Sequence, residues 1–485
     1  MRPRLIAIPY WLVGLLAAGS AAAAPPEYAK KQPQQKPVPL VERLQREVKP
    51  LKHARGKRWP MILWECVSFE PQRPEVYRAL LERGLTQHVR LDAAMIPAAL
   101  AIQKAGSPVI LMEGSAGPWP ASLAGPAQRW AHRFDPGYQP PPGPENYVKP
   151  CLGLFEGWAK NADRVRGILR KFQEAGVTVD AVWTDWEGDP AGEQFEQASH
   201  CRRCREMLPR WVLASPENCA AYCAQLRYSL HDAYLAAPVR EIFPKCSVTN
   251  WHVVWSTPER PVVFWNNRAK PPSMPALMDA NPIAYGNTVI WQHWNQAWPL
   301  DLEHVDQFYT HLLLREVSEN AANMLRYAPD KLCIPWVARW CPDDENPRIP
   351  VMSRARYREV LRHLWLRGVD GMQVFNATRP GYDDVVFAEV ADAVAVYDEM
   401  LAYGRYLDGG AVLCTETPKA QDDGVLWSGR RLDGEAVIRV FKQGGGTATI
   451  AVEPWPGKRV QLKASDNGET YLVRLVDGGI RAERR

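Results

Sequence analysis

Val179-Asp-Ala-Val-Trp-Thr-Asp-Trp-Glu187 is apolar and β-branched for most of its length, then ends in two carboxylates and two tryptophans. Gly188-Asp189-Pro190 follows and stops any regular structure. The run reads as a strand. Residues i and i+2 of a strand point to the same side, so Asp185 and Glu187 are expected side by side at its C-terminal end. Two carboxylates that close cannot both ionise freely. One is pushed toward holding its proton near neutral pH, as a general acid must. Trp183 and Trp186 add flat apolar faces of the kind on which sugar rings stack. Alone, an Asp-x-Glu of this kind reads as readily as an acidic turn, so its surroundings decide.

Outward from this strand the chain alternates between two textures. Strand-like runs are expected at 61–69, 88–92, 108–113, 179–187, 247–254, 283–292, 332–339 and 371–376. Helical patterns lie at 75–83, 93–105, 161–175, 217–242, 302–325, 354–366 and 384–403. Eight strands with interposed helices predict an α/β fold, a (β/α)8 TIM barrel over residues 59–408. Its strands are buried on both faces, which suits their near-continuous apolar runs. Active sites of this architecture form at the C-terminal strand ends. The fourth strand ends at Asp185 and Glu187, which favours a catalytic reading over a turn. From 409 to 485 short alternating segments are separated by Gly-, Asp- and Asn-rich turns. They predict a small C-terminal antiparallel β-sandwich packed on the barrel.

At 485 residues and 46% hydrophobic content the chain has material for one large core plus a smaller domain. Residues 1–24 read as a signal peptide: Met1-Arg-Pro-Arg4, an apolar run from Leu5 to Ala18, then small residues at Ala21–Ala24. The protein is therefore expected to be exported, to a periplasm or as a secreted protein. An apolar run of roughly fifteen residues is short for a span, and no other segment is long and apolar enough for one. Residues 25–58 are rich in Pro, Lys and Gln and read as a linker with a short helix at 41–48. The net charge of +5 is mild and spread out, without the basic run that tracks nucleic acid. Twenty tryptophans are many for this length. Their bulk and N–H groups suit a ring-stacking cleft better than a core alone.

Thr184-Asp-Trp-Glu187 resembles the Val/Ile-Asp-Trp-Glu string of hyaluronidases. Asp180 and Asp185 also fall at two acidic positions of chitinase-type hydrolases, seven and two residues before Glu187. The third acidic position of that pattern is Trp183 here, and its Gly is Ala181, so the hyaluronidase pattern fits better. The resemblance implies a TIM-barrel glycoside hydrolase acting on an N-acetylhexosamine-containing polysaccharide or oligosaccharide. In such enzymes the substrate's own acetamide attacks the anomeric carbon. Glu187 would protonate the leaving oxygen, and Asp185 would orient the acetamide and stabilise charge on its nitrogen. No protein nucleophile is then needed, an exception to the usual two-carboxylate scheme. Tyr285 is the candidate to hold the acetamide oxygen. Asp180, Trp183, Trp186, Trp291, Gln292, Trp336, Gln373 and Asn376 complete the expected substrate-binding set. For Tyr285 the alternative is packing, and for the amides it is satisfying loop backbone.

A second reading keeps Glu187 as acid on a non-acetylated glycan and adds a separate carboxylate. Glu65, Asp92 and Glu113 end strands one to three, and Asp343, Asp344 and Glu345 follow strand seven. Such enzymes usually carry Asn before the strand-four Glu, where this chain has Trp186. A third reading is a non-catalytic, carbohydrate-binding barrel. None needs a catalytic cofactor. Among ten cysteines, Cys201, Cys204, Cys219 and Cys223 form C-x2-C-x14-C-x3-C directly beyond the carboxylates. In an exported chain this spacing suits two cross-linked disulfides or a structural zinc. Cys333 and Cys341 form a further candidate pair.

Overall fold

The structure, a computed structural model, describes residues 27–28, 40–64, 73–113, 156–184, 195, 198–199, 202–219, 222, 232–255, 263–264, 281–283, 304–311, 313–314, 317–318, 332–339, 350–375, 381–416, 418, 423–476 and 479–485. Its first twelve strands are β1 (Glu27–Tyr28), β2 (Met61–Leu63), β3 (Leu85–Gln87), β4 (Val89–Arg90), β5 (Ile110–Glu113), β6 (Ala181–Thr184), β7 (Ser247–Trp255), β8 (Val263–Phe264), β9 (Asn281–Ile283), β10 (Trp336–Val337), β11 (Pro350–Val351) and β12 (Gln373–Val374). Parallel ladders run β10–β12–β2–β3 and β4–β5–β6–β7–β9. β3 and β4 are one course of chain broken only at His88. Spatial order thus follows chain order, and the fold is α/β with parallel sheets. β9 and β10 approach to within 8 Å between Cα atoms, with no ladder between them among the described residues. β8 turns back antiparallel on β7, and β1 pairs with β11.

Helices at Pro74–Leu81, Ile96–Lys104, Glu156–Glu174, Ala237–Ile242, Arg354–Leu366 and Asp383–Leu401 alternate with these strands. Gly84, Gly106, Gly176 and Gly368 each follow a helix with positive φ, the left-handed stop that glycine permits. At Gly84 a Cβ would also meet the Tyr397 ring at 2.7 Å. That stop starts the second strand at Leu85, ahead of the expected 88–92. Thr86 and Gln87 hid it, being polar yet buried. The Thr86 and Ser107 hydroxyls share a hydrogen bond of 2.7 Å, which makes that burial tolerable.

Alternation along the strands builds two faces. Met61, Leu63, Val337 and Val374 point outward into one helix-packed core, and Val89, Leu111, Val182 and Val248 into another. Ile62, Trp64, Ile110, Met112, Ala181, Trp183 and Trp336 form an interior cluster with Ile334. Residues 40–58, expected to be linker, pack on this unit instead. The helix Leu40–Glu47 buries Val41 and Leu44, and Arg83 donates to the carbonyls of Leu44, Gln45 and Val48.

The C-terminal strands are β13 (Ala411–Val412), β14 (Val425–Leu432), β15 (Glu435–Lys442), β16 (Thr447–Trp455), β17 (Lys458–Ser465), β18 (Glu469–Val476) and β19 (Gly479–Arg484). They form a five-stranded antiparallel sheet, β13–β14–β15–β18–β19, and a separate β16–β17 hairpin. β15 is buried on both sides. Ala436, Ile438 and Val440 meet Val452, Leu462 and Ala464 of the hairpin. Val437 and Phe441 join Leu364 and Trp365 of the helix Arg354–Leu366 in the larger core.

Candidate active site

β6 lies between β5 and β7, and its register sets Glu113, Thr184 and Asn250 abreast toward the C-terminal strand ends. From Thr184 the chain passes into Asp185, Trp186 and Glu187, which lie outside the described residues. So do Tyr285, Trp291, Gln292 and Asn376, and the alternative carboxylates Glu65, Asp343, Asp344 and Glu345. Asp92 is described. Its carboxylate accepts the Ala94 N–H at 2.9 Å, capping a short 3-10 turn.

Below these strand ends the interior is aromatic. The Trp64 and Trp336 ring centroids lie 4.3 Å apart, and Phe375 sits 4.7 Å from Trp336. Phe375 is near-parallel to Trp64 at 6.5 Å, with 9° between planes. His88, at the break between β3 and β4, meets Trp64 edge-on at 5.2 Å. Burial in this apolar setting pushes the His88 imidazole down to about 4, so it is neutral at pH 7. Sequence reasoning gave His88 and Phe375 no place in the site set. The available signal was the two-residue spacing of His88 from Thr86 on an inward-facing strand.

Trp183 and Trp336 are only 3% and 1% exposed, and they pack within the interior cluster. Neither presents an open face to a sugar ring as the expected cleft required. The reason is depth: Trp336 begins its strand, paired with Gln373, one level below Trp64. Gln373 is likewise fully buried, and its Nε2 reaches the Ile334 carbonyl at 3.4 Å. That contact ties strand to strand.

Asp180 lies at the other end of the strand. It precedes β6, at the end opposite to Asp185, with about 13 Å of strand between it and Thr184. Its Oδ2 accepts the Val109 N–H at 2.8 Å, and its own N–H donates to the Val109 carbonyl at 2.9 Å. Its carbonyl accepts from Ser247 at 2.9 Å. Asp180 therefore stitches the entries of three strands together. Asp370 repeats the device ahead of β12, exchanging bonds of 2.8 Å with Cys333.

Cys204 and Cys219 are buried, while Cys201, Cys223 and Cys341 lie outside the described residues. No disulfide joins two described cysteines. Cys333 is enclosed in the core beside Asp370, and burial pushes its thiol well up, which keeps it protonated and unreactive. Among the described residues no group of three or more His, Cys, Asp or Glu side chains could hold a metal ion. No described helix is long and apolar enough to cross a membrane.

No protein family matches the chain, and no curated protein does. Solved structures similar to it include a GH30 endoxylanase from Clostridium papyrosolvens, at 9% identity and TM-score 0.40, covering 90% of this chain and 95% of that one. The Nostoc punctiforme debranching enzyme reaches 13% identity and TM-score 0.43 over 92% of this chain and 95% of its own. An α-amylase from Geobacillus thermoleovorans reaches 11% and 0.38 over 81% and 79%. All three are glycan-cleaving enzymes by name. With every TM-score below 0.5, these likenesses decide neither the fold nor the activity of this chain.

Proposed function

We propose that the chain is a glycoside hydrolase acting on an N-acetylhexosamine-containing polysaccharide or oligosaccharide. In this reading the parallel strands, neighbours in chain order, close as a (β/α)8 barrel, and the C-terminal sheet and hairpin form a β-sandwich beside it. One observation carries the proposal: Ala181 and Trp183 of β6 face the interior. The same alternation carried forward would set Asp185 and Glu187 on that face, above an aromatic floor. Low polarity there favours the protonated form of a carboxyl, which the acid role requires.

The chemistry follows from that placement. Glu187 gives its proton to the glycosidic oxygen as the bond to the anomeric carbon breaks. The acetamide oxygen of the same sugar closes on that carbon, while Asp185 takes a hydrogen bond from the acetamide N–H and balances its growing charge. Glu187, now ionised, then accepts a proton from the water that opens the ring intermediate. The acid is restored and one water has been consumed.

Reducing-end release from N-acetylated and non-acetylated polymers tests this directly. Glu187→Gln and Asp185→Asn are each expected to lower the rate on N-acetylated polymer by about 10²-fold or more. Cleavage confined to non-acetylated glycans would replace the acetamide mechanism with a two-carboxylate one. Unchanged rates in both variants would remove these residues from the chemistry.

A further inference from the structure

The connection between β6 and β7 carries an aromatic display that the proposed chemistry leaves unused. Trp211 is 49% exposed, the largest side chain among the exposed large apolar residues described. It sits in a turn between the short helix Arg202–Met207 and the 3-10 turn Val212–Ala214. Tyr222 meets its ring edge-on at 6.0 Å, with 76° between planes. The turn is held from several sides. Asn218 Nδ2 donates to the Trp211 carbonyl at 2.9 Å, and the Asn218 N–H donates to Ser215 Oγ at 3.2 Å. Cys204, Leu208, Val212 and Cys219, on either side of Trp211 in the same segment, are buried. The ring is thus propped by a second aromatic, on a backbone that is hydrogen-bonded and anchored.

We infer that Trp211, braced by Tyr222, is a stacking platform for a pyranose ring of a glycan chain, outside the cleavage point. The chemistry of the pair selects that class of ligand. A pyranose presents a face of weakly positive axial C–H groups, and the indole presents an electron-rich π face. Arg210, exposed and next to Trp211 in the chain, offers a donor to ring hydroxyls. Placement supports it too, since the platform belongs to the segment that leaves β6 at the end where Asp185 and Glu187 follow. The location beside a cleavage site rests on the hydrolase reading; the binding itself does not.

Affinity electrophoresis of the full chain through gels holding N-acetylated or non-acetylated polymer separates the two. It is run on the Glu187→Gln background so that the polymer survives. Trp211→Ala is expected to weaken retention roughly tenfold, and Trp211→Phe by about two- to threefold. In the active chain, Trp211→Ala should raise KM for polymer similarly and leave kcat on a short aryl glycoside unchanged. Melting temperatures of both Trp211 variants should match the parent, since the side chain is exposed. Equal retention of parent and Trp211→Ala overturns the platform, as does failure of the parent to be retained by any polymer. Weakened retention in a chain that cuts no glycan upholds the platform and sinks the hydrolase.

Discussion

Asp180 stands five positions before Asp185 in the chain, and its carboxylate is committed to the Val109 N–H at the start of the strand. Burial raises the Asp180 carboxyl even though the Val109 N–H pulls it down. A carboxyl raised by folding carries its charge at a cost near neutral pH. Its contribution to stability is therefore fullest at low pH and is lost as pH rises through its folded value. Asn keeps the acceptor without the charge. Asp180→Asn is expected to hold or raise the melting temperature at pH 7, with turnover unchanged. Asp180→Ala strands the Val109 N–H and should cost about 1–3 kcal/mol. A loss of turnover in Asp180→Asn by orders of magnitude, with folding intact, would return this residue to the chemistry. The sequence showed the acidic spacing but not which end of the strand each carboxylate serves, because the first inter-strand bond falls only when neighbouring strands are in register.

At the scale of elements, the helix Arg354–Leu366 has the bounds that its periodicity predicts. Its burial partner was not legible. Glu359 lies nearly inaccessible against β15, where Arg439 reaches it with bonds of 2.7 and 2.6 Å. Burial pushes the Glu359 carboxyl up, and hydrogen bonds from His363 and Arg439 overcome that and hold it well below the usual carboxylate range. Arg362 adds a contact of 3.0 Å and also bonds Glu399 on the helix Asp383–Leu401. Arg439→Met leaves Glu359 short of its main partner and is expected to cost about 3–5 kcal/mol in denaturant unfolding. Adding Glu359→Gln should recover part of that loss, so the double variant falls short of the summed singles. Additive effects would mean that the pair does not couple helix to sheet. Charged residues on a helix read as a solvated face until a second element covers them.

For the whole molecule, Leu426, Val437, Phe441 and Leu472 of the C-terminal strands share one core with Met61, Leu364 and Trp365. Arg367 crosses the same boundary, donating to Ser428 Oγ at 2.7 Å and to the Trp427 carbonyl at 3.1 Å. The two units are expected to unfold together. Two buried histidines set how that unfolding responds to acid. Burial lowers His88 and His363 each to about 4 from an ordinary 6.5, the latter despite hydrogen bonding to Glu359. A histidine lowered by folding contributes stability above its unfolded value and loses it as pH falls through the folded one. Each is worth on the order of 3 kcal/mol across that window. Unfolding free energy from denaturant titrations should therefore drop between about pH 6.5 and pH 4, and His363→Gln should flatten part of the fall. A flat profile across that window in the parent would overturn the neutral assignment of both rings.

The sequence by itself determined the alternation of parallel strands and helices, the antiparallel texture after 409, and the carboxylate pair that follows β6. These are local properties: apolar periodicity, glycine stops and turn residues act over a few positions of chain. Tertiary structure alone decided what each side chain faces. It turned Trp183, Trp336 and Gln373 into interior packing and sent Asp180 to the base of its strand. It also drew residues 40–58 onto the α/β unit and left Trp211 standing in solvent. Burial and hydrogen-bond partners depend on segments far apart in the chain, and a pattern read along one strand cannot contain its neighbours.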